Sequence, residues 1–256
     1  EIYTLSLHDA LPILVIAPRQ IHFGAAAAAL FVACALGGCA SDAHTRHGQV
    51  QAAPFGGQEL VQSEGNRITQ TAMRANLQSL DLLAEKLYRR NPIQWRKSAA
   101  SREQALQAVR DSLWQGKPWP ALQGKTDIAA LALALAPDFQ GDRVAAFIIA
   151  CADTLVTAHG GKREFHYLSG ADPQYIYNAA RNMEIALWLL NSRRDTEGRP
   201  LLLANELSPE GRNLSFEREF GKIIGRLDLL AAHLSERYHR AAIITKIGRA
   251  SCRERV

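Results

Sequence analysis

Residues 215–234 read SFEREFGKIIGRLDLLAAHL, and in this stretch Phe216, Phe220, Ile223, Leu227, Leu230 or Ala231, and Leu234 recur every three or four positions. That interval places them on one face of an α-helix, with Ser215 at the capping position and Glu217 and Glu219 near the positive end of the helix dipole. The same period runs upstream. Met73, Leu77, Leu80, Ala84 and Leu87 form a stripe over 66–90, which Asn91-Pro92 ends because the residue before proline avoids the helical region. Ser101 and Gln104 make a capping-box pair that opens a helix reaching about Trp114, and Gly116, Pro118, Pro120 and Gly124 then form a loop.

Residues 128–136 and 144–158 are apolar almost all the way round, a pattern that predicts central burial rather than a solvent-facing position. A membrane hairpin is the competing reading, but each run is shorter than a span, and Asp138, Asp142 and Arg143 between them would enter lipid charged. Gly160-Gly161 ends the second run. Residues 162–168 alternate weakly, as a short strand or extended connection. Pro173 suits the first turn of the next helix, whose core face is Ile176, Ala180, Met183, Leu187 and Leu190. A turn at 195–200 contains Gly198, and 201–204 is a brief apolar segment. The pattern predicts an all-α, single-domain bundle of about six helices, the last ending near Tyr238, with no internal repeat.

Ahead of the bundle, Arg19 precedes an apolar run over 23–36 that is too short to remain as a membrane span and closes on Leu36, Gly37, Gly38 and Cys39. A basic start, a short apolar core and small residues before a cysteine resemble a bacterial lipoprotein signal peptide with its lipobox. In that class the Cys39 thiol receives a diacylglyceryl group and becomes the new N-terminus. One acyl chain holds a protein only marginally, whereas the three palmitate-class chains of a mature lipoprotein hold it stably. Ala40 is not the aspartate associated with inner-membrane retention, so the resemblance implies the periplasmic face of the outer membrane, with the inner membrane the less favoured location. Residues 39–57 contain Pro54 and three glycines and few large apolar side chains, and read as a flexible tether. His44 and His47 in it read as solvated rather than as metal ligands.

The chain ends carry a different signature. The first methionine is Met73, and 1–13 (EIYTLSLHDALPI) and 246–256 (KIGRASCRERV) both resemble translated sequencing-adapter sequence. The predicted organisation is therefore an adapter-like 1–13, a signal at 14–38, the tether at 39–57, a helical domain at 58–245 that is truncated at its C-terminus, and an adapter-like 246–256. Of the net charge of +5, residues 1–38 hold −1 and 246–256 hold +3, which leaves +3 on the remainder. No basic run marks a nucleic-acid surface. Of four cysteines, Cys34 leaves with the signal, Cys39 is acylated and Cys252 lies in the tail, so Cys151 has no partner for an intrachain disulfide. Its apolar surroundings predict a buried thiol rather than a nucleophile.

No phosphate loop, H-E-x-x-H, C-x-x-C or G-x-S-x-G occurs after Cys39, and neither a cofactor nor a metal is expected. Three polar groups stand outside the core pattern. Asp138, Asp142 and Arg143 sit between the two most apolar runs, where the readings are a helix cap with an ion pair or an acidic ligand-binding corner. Asn178, Arg181 and Asn182 share a helix side by their spacing, and read either as interhelical hydrogen-bonding groups or as the lining of a polar groove for a glycan or peptide stem. His159, His166 and Tyr167 flank the Gly160-Gly161 turn, with His159 a capping group or a general base. Trp95, Trp114 and Trp119 read as packing beneath loops.

Four blocks, LYRRNPIQWRK (87–97), DFQGDRVAAFI (138–148), YNAARNMEIALWLL (177–190) and NLSFEREFGKIIGRLDLLA (213–231), resemble a family of uncharacterised proteobacterial lipoproteins. The resemblance spans most of 66–240. It implies the lipid anchor and a single domain and carries no assigned catalytic residues, and such proteins continue beyond the helix ending near Tyr238. The expectations are a non-enzymatic envelope binding or scaffolding protein, anchored through its lipid and partnered by an envelope protein or peptidoglycan. The alternative is an envelope hydrolase acting on peptidoglycan or lipid through Asp138, Asp142 or His159. A third reading, a subunit of an envelope machine, predicts an exposed apolar patch.

Overall fold

The computed structural model describes residues 44–45, 48–49, 64–163, 171–208 and 211–253. Side chains are not described at 44–49, 207–212, 241–242 and 244–253. The predicted signal, Cys39, His47, His166 and Tyr167 lie outside the described residues. The chain divides into two compact units, 1–54 and 55–256. In the first, strand β1 (His44–Thr45) pairs antiparallel with β2 (Gly48–Gln49), a minimal hairpin within the segment predicted to be a flexible tether.

The second unit is all-α apart from one short hairpin. Its seven described helices are α1 (Glu64–Arg90), α2 (Pro92–Trp95), α3 (Arg102–Gln115), α4 (Asp127–Ala134), α5 (Arg143–Ala158), α6 (Pro173–Ser192) and α7 (Ser215–Arg253). At the centre lies α5. It packs against α1, α3, α4 and α6, and Val144, Phe147, Ile148, Cys151 and Leu155 on it are fully buried. The predicted stripes on α1, α6 and α7 close around it: Met73, Leu80 and Leu87, then Ile176 and Met183, then Phe216, Phe220, Ile223 and Leu227. The Phe147 and Phe220 rings meet at 6.3 Å, tilted by 47°, within the favourable range for aromatic pairs. α7 runs antiparallel to α1, as Lys86 over the Phe216 ring and Arg226 reaching Ala75 require, and antiparallel to α6, as Arg181 reaching Asp228 and Asn191 reaching Glu217 require.

The local signals account for most helix ends. The Ser101 hydroxyl accepts from the Gln104 N–H at 3.1 Å while the Gln104 side chain accepts from the Ala100 N–H, a variant of the capping box. Asp172 caps α6 with Pro173 in its first turn. Gly160 and Gly161 adopt left-handed φ values of 71° and 75° and return their N–H groups to Thr157 and Val156, which ends α5.

Several expectations are corrected. α4 is not buried all round: Ile128 is 58 % exposed, because a run of alternating alanine and leucine can turn its alanines and one end outward without a polar signature. α2 and the 3₁₀ turn Pro120–Leu122 are too short to show a period. Strand β3 (Glu206–Ser208) pairs with β4 (Gly211–Asn213) in a stretch to which the sequence pattern assigns no element. Ser215 is not the cap of α7. The Arg218 N–H returns to the Leu214 carbonyl, so Leu214 holds that position, and the Asn213 side chain accepts from the Ser215 N–H at 3.1 Å. α7 runs on past Tyr238 to Arg253. Trp95 and Trp119 pack against the core, but Trp114 is 41 % exposed. Among the described residues no helix is long and apolar enough to cross a membrane.

Because Phe147 joins α5 to α7, Phe147→Ala should lower unfolding free energy by about 3–5 kcal/mol in a denaturant titration. The exposed Ile93→Ala, changed alongside it, should leave stability within about 0.5 kcal/mol.

Candidate functional site

Each of the three polar groups has a distinct place in the fold. Asp142 caps α5, accepting from the Ala145 N–H at 3.1 Å, and its other oxygen accepts from the Tyr88 and Ser98 hydroxyls at 2.7 Å each. The next residue turns the other way. The Arg143 guanidinium donates to the carbonyls of Ala134 at 2.7 Å, Ala136 at 2.6 Å and Phe139 at 3.1 Å, while its backbone N–H donates to Gln94 Oε1. A cation on the Ala134 carbonyl, the last of α4, is at the favourable end of that helix's dipole. Burial raises the Asp142 carboxyl above its ordinary value, against four hydrogen bonds that pull it down, from Ser98, Tyr88 and the backbone N–H groups of Ala145 and Val144. Burial likewise lowers Arg143, and burial with the Asp142 charge beside it pushes the Tyr88 phenol well up, so it remains a donor. Asp142 and Arg143 are 3 % and 5 % exposed, whereas Asp138 is exposed. The three do not form one accessible acidic corner; two of them tie α1, α2, α4 and α5 together.

His159 sits at the opposite end of α5, about 24 Å away by helical rise. It is fully buried, its Nδ1 lies 2.7 Å from the Leu155 carbonyl, and burial lowers its basicity. Cys151 is enclosed, and burial alone pushes its thiol up, away from the thiolate a nucleophile needs.

Asn178, Arg181 and Asn182 are brought together. With Asp127, Thr154, Thr157 and Tyr175 they line a groove of about 440 Å³ between α4, α5 and α6, within the roughly 300–1,000 Å³ span of small-molecule sites. Arg181 is held by Asp228 of α7, its Nη2 reaching both carboxylate oxygens at 2.8 and 2.9 Å, and by Glu184 at 3.2 Å; its guanidinium lies 5.0 Å from the Tyr177 ring centre. Asn178 accepts from Gln174 at 2.9 Å through its oxygen, which leaves its amide donors for another partner. Asp127 opens α4 with φ at 51°, an unusual conformation for a residue with a Cβ, and its N–H donates to Asp153 at 2.6 Å. Two enclosed atoms in this groove, Asp127 Oδ1 and Arg181 Nε, have no hydrogen-bond partner among the described residues. Orphaned buried polar atoms cost free energy unless something fills the site.

Sequence reading reaches three of these seven groups. Asp127, Thr154, Thr157 and Tyr175 escape it because three helices contribute them. The available signal was the pair Thr154 and Thr157, polar residues three apart in an otherwise apolar helix. Among the described residues no group of three or more His, Cys, Asp or Glu side chains could hold a metal ion. No family model, curated protein or solved structure matches the chain.

The burial of His159 fixes a sign for pH dependence. Its folded-state value lies below the ordinary 6.5, so the unfolded chain takes up the proton first and stability is lost as pH falls below that value. Unfolding free energy should therefore fall between pH 7 and pH 5 by up to about 1.4 kcal/mol per pH unit from this group, and His159→Gln should flatten that slope in denaturant titrations.

Proposed function

We propose that the chain is a lipid-anchored periplasmic protein of the outer membrane that binds peptidoglycan fragments in the α4–α5–α6 groove without catalysing their cleavage. The observation that carries this reading is the lining of that groove. It offers a carboxylate, two amides, two hydroxyls and a guanidinium beside the Tyr175 ring. Sugar hydroxyls, acetamido groups and stem-peptide amides are donors and acceptors at once, and need amides and carboxylates of this kind around an aromatic wall. Asp127 Oδ1 supplies an acceptor and Asn178 a donor, both uncommitted among the described residues.

The binding reading is favoured over the hydrolase reading by placement. Asp142 and His159 close opposite ends of α5, each engaged by its own neighbours, and neither lines the groove. A hydrolase needs its acid, base and bound substrate within hydrogen-bond reach of one another. The anchoring part rests on the Leu36–Gly37–Gly38–Cys39 signature and on the arithmetic of several acyl chains.

Titration calorimetry with a soluble disaccharide-tetrapeptide tests the groove: saturable binding is expected, and Asn178→Ala with Asn182→Ala should weaken it about tenfold or more, since each removes a hydrogen bond to ligand. Absence of binding by the unchanged protein overturns the proposal. For the anchor, the full chain secreted into a bacterial envelope should fractionate with the outer membrane and carry acyl mass on Cys39, while Cys39→Ala should appear in the soluble periplasmic fraction. Retention of that variant at the membrane would remove the lipid from the account.

A further inference from the structure

A second groove, of about 570 Å³, runs between α1 and α7 on a different side of the unit. Its walls follow the antiparallel register of the two helices. Along α1 the interval 64–75 corresponds to roughly 16 Å of length. The middle is apolar apart from Thr71, formed by Ile68, Ala72 and Ala75 from α1 and Leu229 and Leu230 from α7. Leu229 is 73 % exposed, the most exposed large hydrophobic side chain described. The ends are cationic. Arg226 closes one end, its Nη1 donating to the Ala75 carbonyl, the Asn76 amide oxygen and the Ser79 hydroxyl at 3.0–3.2 Å. Those acceptors are all neutral, so its charge has no counter-ion there.

At the other end stand Arg67 and His233, with Glu64 as the acid among the lining residues. Arg67 makes no ion pair among the described residues, and His233 Nε2 is enclosed without a hydrogen-bond partner among them. The Arg237 guanidinium lies over Gly65 one turn further along, in space that any side chain at that position would fill. Basic groups therefore outnumber acids around an apolar trough.

We propose that this groove binds a long-chain fatty-acid carboxylate, with its head group between Arg67 and His233 and its alkyl chain along Ile68, Ala72 and Leu229 toward Arg226. Charge complementarity selects the anion. The walls select the chain. Both sides of the trough are helices whose backbone groups are already bonded within the helix, so an extended peptide would bring amide groups that find no partner. An alkyl chain brings none, and each CH₂ it buries tightens binding about fourfold. Lying on α1 and α7 rather than on α4, α5 and α6, this site stands or falls independently of peptidoglycan binding.

Titration of the full chain with dodecanoate below its micelle concentration tests the proposal. Saturable one-to-one binding is expected. Hexanoate should bind at least a hundredfold more weakly for want of six methylenes, and Arg67→Gln should weaken dodecanoate about tenfold through loss of a charge-assisted hydrogen bond. Leu229→Gln, at an exposed position that should leave the fold intact, should weaken it about as much. Dodecyltrimethylammonium should not compete. Failure of dodecanoate to bind, equal affinity for the cationic detergent, or unchanged affinity in folded Arg67→Gln would overturn the proposal, as would a Leu229→Gln variant that leaves dodecanoate binding intact but separates a dimer of this chain. The disaccharide-tetrapeptide titration, run on the same Arg67→Gln protein, should be unaffected.

Discussion

A helix buried on nearly every side can persist only if both of its ends find partners, and α5 sets that condition for the whole unit. Helical hydrogen bonds satisfy its middle, but its first N–H groups and last carbonyls are orphaned inside protein rather than in water. Asp142 answers the first need. The carboxylate that receives the Ala145 N–H is itself held by Tyr88 from α1 and Ser98 from the loop after α2, so the cap doubles as a cross-link. The left-handed pair Gly160 and Gly161 answers the second by turning N–H groups back onto Val156 and Thr157. With the ends settled, hydrophobic burial along Phe147, Ile148 and Leu155 can determine which helices surround α5.

Arg143 shows how a charge can belong to such a core. Isolated, a buried guanidinium would be prohibitive, but four carbonyls around the end of α4 surround this one, at distances from 2.6 to 3.5 Å. The Ala134 carbonyl is the last of a helix of eight residues that could not hold its own shape without tertiary support, and the other three belong to the turn that follows it. The cation and the helix end each remove the other's cost. A sequence reading sees an aspartate, a glutamine and another aspartate before this arginine and infers ion pairing; backbone geometry, which no residue pattern encodes, determines the partner.

That contrast explains what was legible. The stripes over Met73–Leu87 and Phe216–Leu234 were read correctly because long amphipathic helices repeat their signal over several turns. Brief elements repeat nothing: Pro92–Trp95 is a single turn, and the β3–β4 hairpin has three residues on each side. α4 misled for a related reason, since alanine is tolerated on either side of a helix and carries no information about which way it faces. The groove was half visible. Asn178, Arg181 and Asn182 announce a polar face by their spacing, but Asp127, Thr154 and Tyr175 join them only after three helices have packed.

α7 walls the second groove and touches the first only through Asp228, which holds Arg181, and this has a mechanical consequence. Asp228 holds Arg181 on the α6 side, while Arg226, Leu229 and His233, its near neighbours on the same helix, face α1. A helix moves as a nearly rigid body, so turning α7 about its axis to widen the trough beside Ile68 must also shift the carboxylate that holds Arg181. The Arg181–Asp228 pair is partly solvated, with exposures of 37 % and 43 %, and so resists such a turn only weakly. The stronger restraint is apolar: Phe216, Phe220, Ile223 and Leu227 are buried along the same helix, and any rotation large enough to alter either groove would lift them from the core. Accommodation of a ligand at either site is therefore confined to side chains at the helix surface, with the α5 packing holding the two groove frames in place.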